Sequence, residues 1–210
     1  KIEIKLLVII QARLSSKRFK NKVIKLIYGK PLIWYVLQSI KKSKKIKKII
    51  VSTSQNKSDD NLVTYLKKNN IEFFRGSLKN VAKRLLQTAI LHKANQFMRI
   101  SGDSPFIDRS IIDKSIRINI SHNRKYDLIT NVFPRSFPSG MSVEIIKTKT
   151  LDKMIKNFSK FDKEHVTTYF YKNYKKFKIK NFKTMKKTKI KYSIDKPIDV
   201  KNLKLLFKNF

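Results

Sequence analysis

The sequence contains no cysteine, and among its 210 residues there are only 4 glycines, 5 prolines, 3 histidines and 14 acidic residues. Without cysteine there are no disulfide staples and no thiolate metal sites, which suits a reducing cytoplasm. His92 and His122 lack ligand spacing to one another, so both read as structural. No apolar run reaches the roughly 18–20 residues that a bilayer span needs. The first apolar run is not followed by a small-residue cleavage site, so no signal peptide is expected. The scarcity of carboxylates makes each unusually placed one informative. What is present is a 41% apolar chain long enough for one substantial core, and a single domain over 1–210 is the default expectation.

The formal charge is +36. Arginine supplies only 9 of the 50 basic residues; the rest is lysine, accompanied by abundant isoleucine and asparagine. That pattern matches an A/T-rich genome biasing codons. A nucleic-acid binder would enrich arginine and interleave aromatics along one face, so no specific nucleic-acid partner is expected. Clusters such as KKSKKIKK (41–48) and KNFKTMKKTKIK (180–191) read as solvated helix ends and strand edges. The charge raises encounter rates with anionic ligands without identifying one.

Along the chain, Val8–Gln11 reads as a buried strand, and Pro31 opens a helix carrying Leu32, Ile33, Tyr35, Val36 and Ile40. KIIVSTS (48–54), IEFFRG and QFMRIS (96–101) read as further strands. Helices over 58–70 and 80–93 separate them. This alternation predicts an α/β fold with a mostly parallel central sheet flanked by helices. Ligands in such sheets gather beyond the carboxyl ends of the strands, here 12–22, 52–54 and 101–108. After Asp108 the pattern loosens. YDLITN is a strand, FPRSFPSGMSVEII leads into another, and helices follow at about 149–158 and 162–173. Strands are then expected at 177–183 and 190–194, with a last helix from Pro197.

Asp59, Asp60, Asp152 and Asp162 sit where helices begin, and capping accounts for them. Asp103 directly follows a strand in SGDSP, where Gly102 permits close backbone approach. It reads either as an Asp opening a turn or as a ligand for a hard cation such as Mg²⁺. Asp195, in KYSIDKPIDV, repeats the arrangement of strand, Asp and Pro-initiated helix, so the two carboxylates could converge on one metal. Asp199 serves its own helix's first turn. Between the first strand and Gly29, Arg13, Lys17, Arg18, Lys20 and Lys22 crowd a hydroxyl-bearing loop, which reads either as a phosphate cradle or as more basic surface.

The segments IIQARLSSKRFKNK, FFRGS, RISGDSPFID, NVFPRSFPSGMSVEI, EHVTTYFY and YSIDKPIDV, in this order, resemble the cytidylyltransferases of sugar activation. The likeness is greatest to the spore-coat-polysaccharide branch, related to the CMP-Kdo and CMP-sialic acid synthetases. It runs from about residue 5 to residue 207. The A-R-x-x-S-x-R-x-x-x-K loop paired with G-D-x-P is its specific part. The resemblance implies a Rossmann-like, GT-A-like nucleotidyltransferase fold and transfer of CMP from CTP to a sugar, with release of pyrophosphate under Mg²⁺. It implies that Arg13, Ser16, Arg18 and Lys22 wrap the triphosphate, with Ser101 and Gly102 also facing the nucleotide. Arg13, Lys22 and Asp103 carry the catalytic assignment, and Asp103 and Asp195 hold the metal. It places Ser52–Ser54 near base and ribose, and Glu144 and His165 by the sugar pocket or dimer contact. A sub-region over about 131–185 is expected to form the sugar pocket and pair two copies as a homodimer. On this reading Lys17 and Lys20 are solvated, Arg75 faces the nucleotide or closes its strand, and Arg84 is a surface or packing residue.

The chain departs from the family pattern at three places. Lys20-Asn21 replaces Pro-Gly before the loop lysine, and Asn tolerates positive φ. Ser15 stands where the nearest branch has Gly. Ser142 stands where a carboxylate is usual, which bears on the sugar. Two other readings remain. Hexose-phosphate pyrophosphorylases open with G-x-G-T-R, whereas QARLSSKR has no glycine. A polyanion-binding protein on the same scaffold would draw on the lysine excess, and fold alone does not decide.

Overall fold

The computed structural model describes residues 6–16, 18–185 and 190–210. Lys17 and residues 186–189, within the lysine cluster read from the sequence, lie outside the described residues. Strand β1 (Leu6–Gln11) leads through the loop into a two-stranded hairpin, β2 (Leu26–Ile27) and β3 (Lys30–Pro31), and then helix α1 (Leu32–Lys41). The alternation continues with β4 (Ile46–Ser54), α2 (Asp60–Lys68), β5 (Phe73–Gly76), α3 (Val81–Leu91) and β6 (Gln96–Ser101). Next come α4 (Arg109–Ser121), β7 (Leu128–Thr130), β8 (Glu144–Lys147) and α5 (Thr148–Met154). The chain ends with α6 (Lys160–Glu164), α7 (Thr168–Lys172), β9 (Ile179–Asn181), α8 (Pro197–Asn202) and α9 (Lys204–Lys208).

The main sheet has the order β5-β4-β1-β6-β8-β7-β9. The strands β5, β4, β1 and β6 are mutually parallel, and β8 runs antiparallel to both its neighbours. Side chains alternate across a strand, and β1 buries both sets. Val8 and Ile10 pack with Ile33, Val36, Leu62 and Ile112 on one face. Leu7 and Ile9 pack with Leu85, Phe97, Leu151 and Phe170 on the other. Val8, Ile9 and Ile10 are each 0% exposed, so each contributes about 1.5–3 kcal/mol from burial. This two-sided burial holds the carboxyl end of β1 rigidly where the cationic loop leaves the sheet.

Three local expectations are corrected. The loosened stretch after Asp108 folds as α4, capped by Asp108, which accepts from the Ser110 backbone N–H. Its buried face alternates Ile111, Ile112 and Ile116 with the polar Ser115 and Asn119, which interrupts the apolar periodicity. The helix expected over 162–173 is broken into α6 and α7. Asp162 forms a capping box with Ser159 and also accepts from the Thr168 hydroxyl at 2.7 Å, drawing the chain into a turn at 165–167. The expected strand at 190–194 is irregular backbone. It hydrogen-bonds singly, from Tyr192 N to the Ser139 carbonyl and from Ile194 N to the Asp103 carbonyl.

Candidate active site

Three turns bring the site together. Asn21 adopts φ 58°, ψ 16°, the left-handed conformation that Asn tolerates, so the loop turns without the family's glycine. Gly102 donates to the Gln11 carbonyl at 2.9 Å, and a Cβ there would lie 3.0 Å from the Ala12 side chain. The loops after β1 and β6 therefore touch. Gly140, at φ +91°, lies under residues 192–193, where a Cβ would come within 2.5 Å of backbone. That crossing lets the 190–195 segment reach the site.

Lys22 is the product of this arrangement. Among the described residues it is the only lysine in the buried class, 8% exposed. Its Nζ donates to Asp103 Oδ2 at 2.7 Å and to the Ile194 carbonyl at 2.8 Å, and lies 3.8 Å from Asp195 Oδ1. The two aspartates, 92 positions apart in the sequence, thus meet around one ammonium. Arg18 reaches the other side of the pair, 2.8 Å from Asp195 Oδ1. Arg13 is held by Glu164 at 2.7 Å. Burial works against the charge on Asp195, but Lys191, Lys22 and Arg18 outweigh it and hold the carboxyl below its usual range. Asp199 accepts from the backbone N–H groups of Asp195 and Lys196, the expected first-turn role.

Arg13, Arg18, Lys22 and Asp103 line a cavity of about 770 Å³ together with Ser16, Ser101 and Gly102. Asp195, paired with Lys22, stands beside it. A second cavity of about 270 Å³ shares Ser101 and His165 with the first and continues to Arg99, Arg135, Ser142, Glu144 and Tyr171. Glu144 is closed in by Arg99 at 2.5 Å and by the Tyr171 hydroxyl at 2.6 Å. Burial, and then the Glu144 carboxylate beside it, push the Tyr171 hydroxyl's pKa upward. Arg135 donates to the Ser142 hydroxyl at 3.1 Å, where the family's usual residue would be an acid.

Other expectations change. Ser52, Thr53 and Ser54, expected near base and ribose, are each 0% exposed and line neither cavity. Ser54 and Ser52 instead bond Asp59 and Thr88. Asp59 does not cap with its side chain, against expectation: fully buried, it accepts from Leu14 N at 2.7 Å and from Ser54 N at 3.1 Å, pinning the cationic loop to the end of β4. Arg75 closes its strand through the carbonyls of Ser54 and Asn56 and through Asp60. Lys20 is exposed, as expected.

Arg84 is the residue the sequence concealed. It is not on the surface but packed, 0% exposed with its Cβ and Cγ against Gly76, and it also lines the larger cavity. Burial, reinforced by the charge of Arg13 and opposed by that of Asp59, lowers its pKa to about 10. A basic residue in mid-helix gives no local signal. Its one advance sign is Gly76, where a Cβ would sit 2.8 Å from Arg84 Cγ.

Among the described residues no group of three or more His, Cys, Asp or Glu side chains could hold a metal by itself. Asp103 and Asp195 offer two oxygen ligands, which suits Mg²⁺ when substrate phosphates complete its shell. No helix among the described residues is long and apolar enough to cross a membrane.

Known proteins resemble the chain in sequence and in fold. A family model described as cytidylyltransferase matches residues 7–209. An uncharacterised protein of Methanocaldococcus jannaschii is 33% identical over 210 residues, covering 98% of this chain and 84% of the relative. The spore coat polysaccharide biosynthesis protein SpsF of Bacillus subtilis is 28% identical over 170 residues, covering 78% and 69% respectively. The solved structure of a cytidylyltransferase from Leptospira borgpetersenii superposes with a TM-score of 0.92 at 28% identity, covering 99% of this chain and 88% of that one.

Proposed function

The chain belongs to the cytidylyltransferase family, and from that premise we propose that it transfers CMP from CTP to an acidic sugar with release of pyrophosphate. One observation carries the reading. Lys22 joins Asp103 to Asp195, with Arg18 on Asp195, at the carboxyl end of the parallel strands, beside a cavity that shares Ser101 and His165 with a second one lined by Arg99 and Arg135.

On this reading the triphosphate takes over the cations that carboxylates now hold. Arg13 and Arg18 exchange Glu164 and Asp195 for phosphate oxygens, and the Lys22 ammonium follows the negative charge that builds on the leaving pyrophosphate. Ser16 adds a hydroxyl donor. Phosphoryl-type transfer asks chiefly for such positioning and charge neutralisation. Asp103 and Asp195 would hold Mg²⁺, which when bound increases the electrophilicity of the α-phosphorus. The acceptor enters the second cavity, where Arg99 and Arg135 outnumber Glu144 and favour an anionic sugar. We further place the enzyme in the cytoplasm as a homodimer paired through the 131–185 region, where Phe161 and Tyr174 stand exposed.

A pyrophosphate-release screen tests this, pairing CTP and Mg²⁺ with a panel of sugar acids, sugar phosphates and neutral sugars. Release that needs CTP, Mg²⁺ and an acidic sugar is expected. Equal rates with UTP, GTP or ATP would remove the cytidylyl assignment, and release only with neutral sugars would remove the acidic acceptor.

A further inference from the structure

The larger cavity has a wall that the triphosphate reading leaves unused. Arg84, on α3, is wholly buried, yet only its Nη1 has a partner, the Ser77 carbonyl at 2.7 Å. Its Nε and Nη2 are buried with no hydrogen-bond acceptor among the described residues. These two atoms lie on one edge of the guanidinium, so their N–H groups form a parallel fork matched to two adjacent acceptors. An unmet pair of donors on a buried cation is costly to the folded protein. Asp59 favours the charge through its field but takes its hydrogen bonds from Leu14 N and from Ser54, not from Arg84. The fold nevertheless makes room for the arginine, since any side chain at position 76 would strike its Cγ.

The unused donors argue for the base, because Arg13, Arg18 and Lys22 already supply the cations a triphosphate needs, each held by a carboxylate it can exchange. Arg84 packs against Gly76 at the end of β5, within the field of Arg13. Leu78 and Val81 line the cavity beside Arg84 and give that end an apolar wall suited to a flat ring. Resting on the reading of CTP as the donor, we propose that Arg84 is the residue that reads cytosine, its Nε and Nη2 donating to O2 and N3 of the pyrimidine. Uracil presents O2 but carries a proton on N3, so it opposes one arm of the fork with a donor.

The test compares CTP, UTP and inorganic tripolyphosphate binding to the full chain as wild type, Arg84→Met and Arg84→Lys, with thermal unfolding of each. Arg84→Met removes the orphaned donors and is expected to fold with undiminished stability. It should also lose about tenfold to hundredfold in preference for CTP over UTP, the worth of one bidentate base contact. Arg84→Lys keeps the charge without the fork and should lose the same preference. Tripolyphosphate affinity should change severalfold at most in either variant. An unchanged CTP-to-UTP ratio, an equal loss of tripolyphosphate affinity, or failure of both variants to fold would overturn the assignment. A wild-type protein that binds tripolyphosphate but neither nucleotide would overturn the cytidylyltransferase reading along with it. CTP binding without discrimination from UTP in the wild type would overturn the Arg84 assignment alone.

Discussion

The larger cavity holds its cations with carboxylates borrowed from distant segments, Arg13 with Glu164, Arg18 with Asp195, and Lys22 with Asp103. The smaller one encloses a carboxylate instead: Glu144 is 5% exposed, and Arg99 and Tyr171 fill its oxygens, with Gln11 and Thr130 bonding those partners in turn. Apart from Lys22–Asp103, which is largely buried, pairs of the first kind involve more exposed side chains, 65% for Arg18 and 34% for Arg13, and are individually worth little to stability. They can be exchanged for phosphate at small cost. The second kind is a closed network whose members are all partnered, the arrangement that rigidifies a site. On the proposed function, nucleotide binding would be built on exchangeable charge and acceptor binding on fixed charge.

The comparison breaks most visibly at Asp103. Asp103→Asn should abolish CTP-dependent pyrophosphate release, a loss of at least a hundredfold, while the thermal midpoint stays within a few degrees. Near-wild-type turnover would separate Asp103 from the chemistry. Glu144→Gln should behave in the opposite sense. It removes the charge that Arg99 and Tyr171 enclose and should cost about 2 kcal/mol, lowering the midpoint by about 4–8 °C in a chain of this size. Calorimetry of the two variants side by side checks the contrast. A midpoint for Glu144→Gln equal to wild type would mean that the second network is no more structural than the first.

Arginine and lysine illustrate how far the sequence could be read. The lysine excess carried no site information, and among the described residues only Lys22 is buried. Five of the nine arginines, at 13, 18, 84, 99 and 135, line the two cavities. The parallel half of the sheet was legible because β1, β4 and β6 are short apolar runs between polar turns, and the loop 12–22 follows from the strand-end rule. Its meeting with Asp103 and Asp195 was legible only through paired motifs. Arg84 and Asp59 were not legible, because burial of a charged residue depends on long-range packing that no local window contains. The break between α6 and α7 was hidden for a related reason. It turns on a hydrogen bond from Thr168 to Asp162, six residues back, in a stretch whose apolar spacing suits one continuous helix.

That same Asp162 supplies the smallest expected effect and a check on whether the α6–α7 turn is as fixed as the Glu144 network it flanks. Burial of the carboxyl raises its pKa, but donors from Ser159, Thr168 and Lys172 win, lowering it from 3.8 to about 2. A depressed folded-state value means that the folded protein resists protonation more than the unfolded chain does. The stabilisation is therefore complete above pH 3.8 and is lost as pH falls through about 2. The thermal midpoints of wild type and Asp162→Asn should differ by a constant few degrees near neutrality and converge between pH 4 and pH 2. Asp195 and Asp199, also held below their usual range, will acid-destabilise both proteins alike, so the difference between the two curves isolates Asp162. A gap that persists unchanged into strong acid would mean that the aspartate holds the turn by shape rather than by charge.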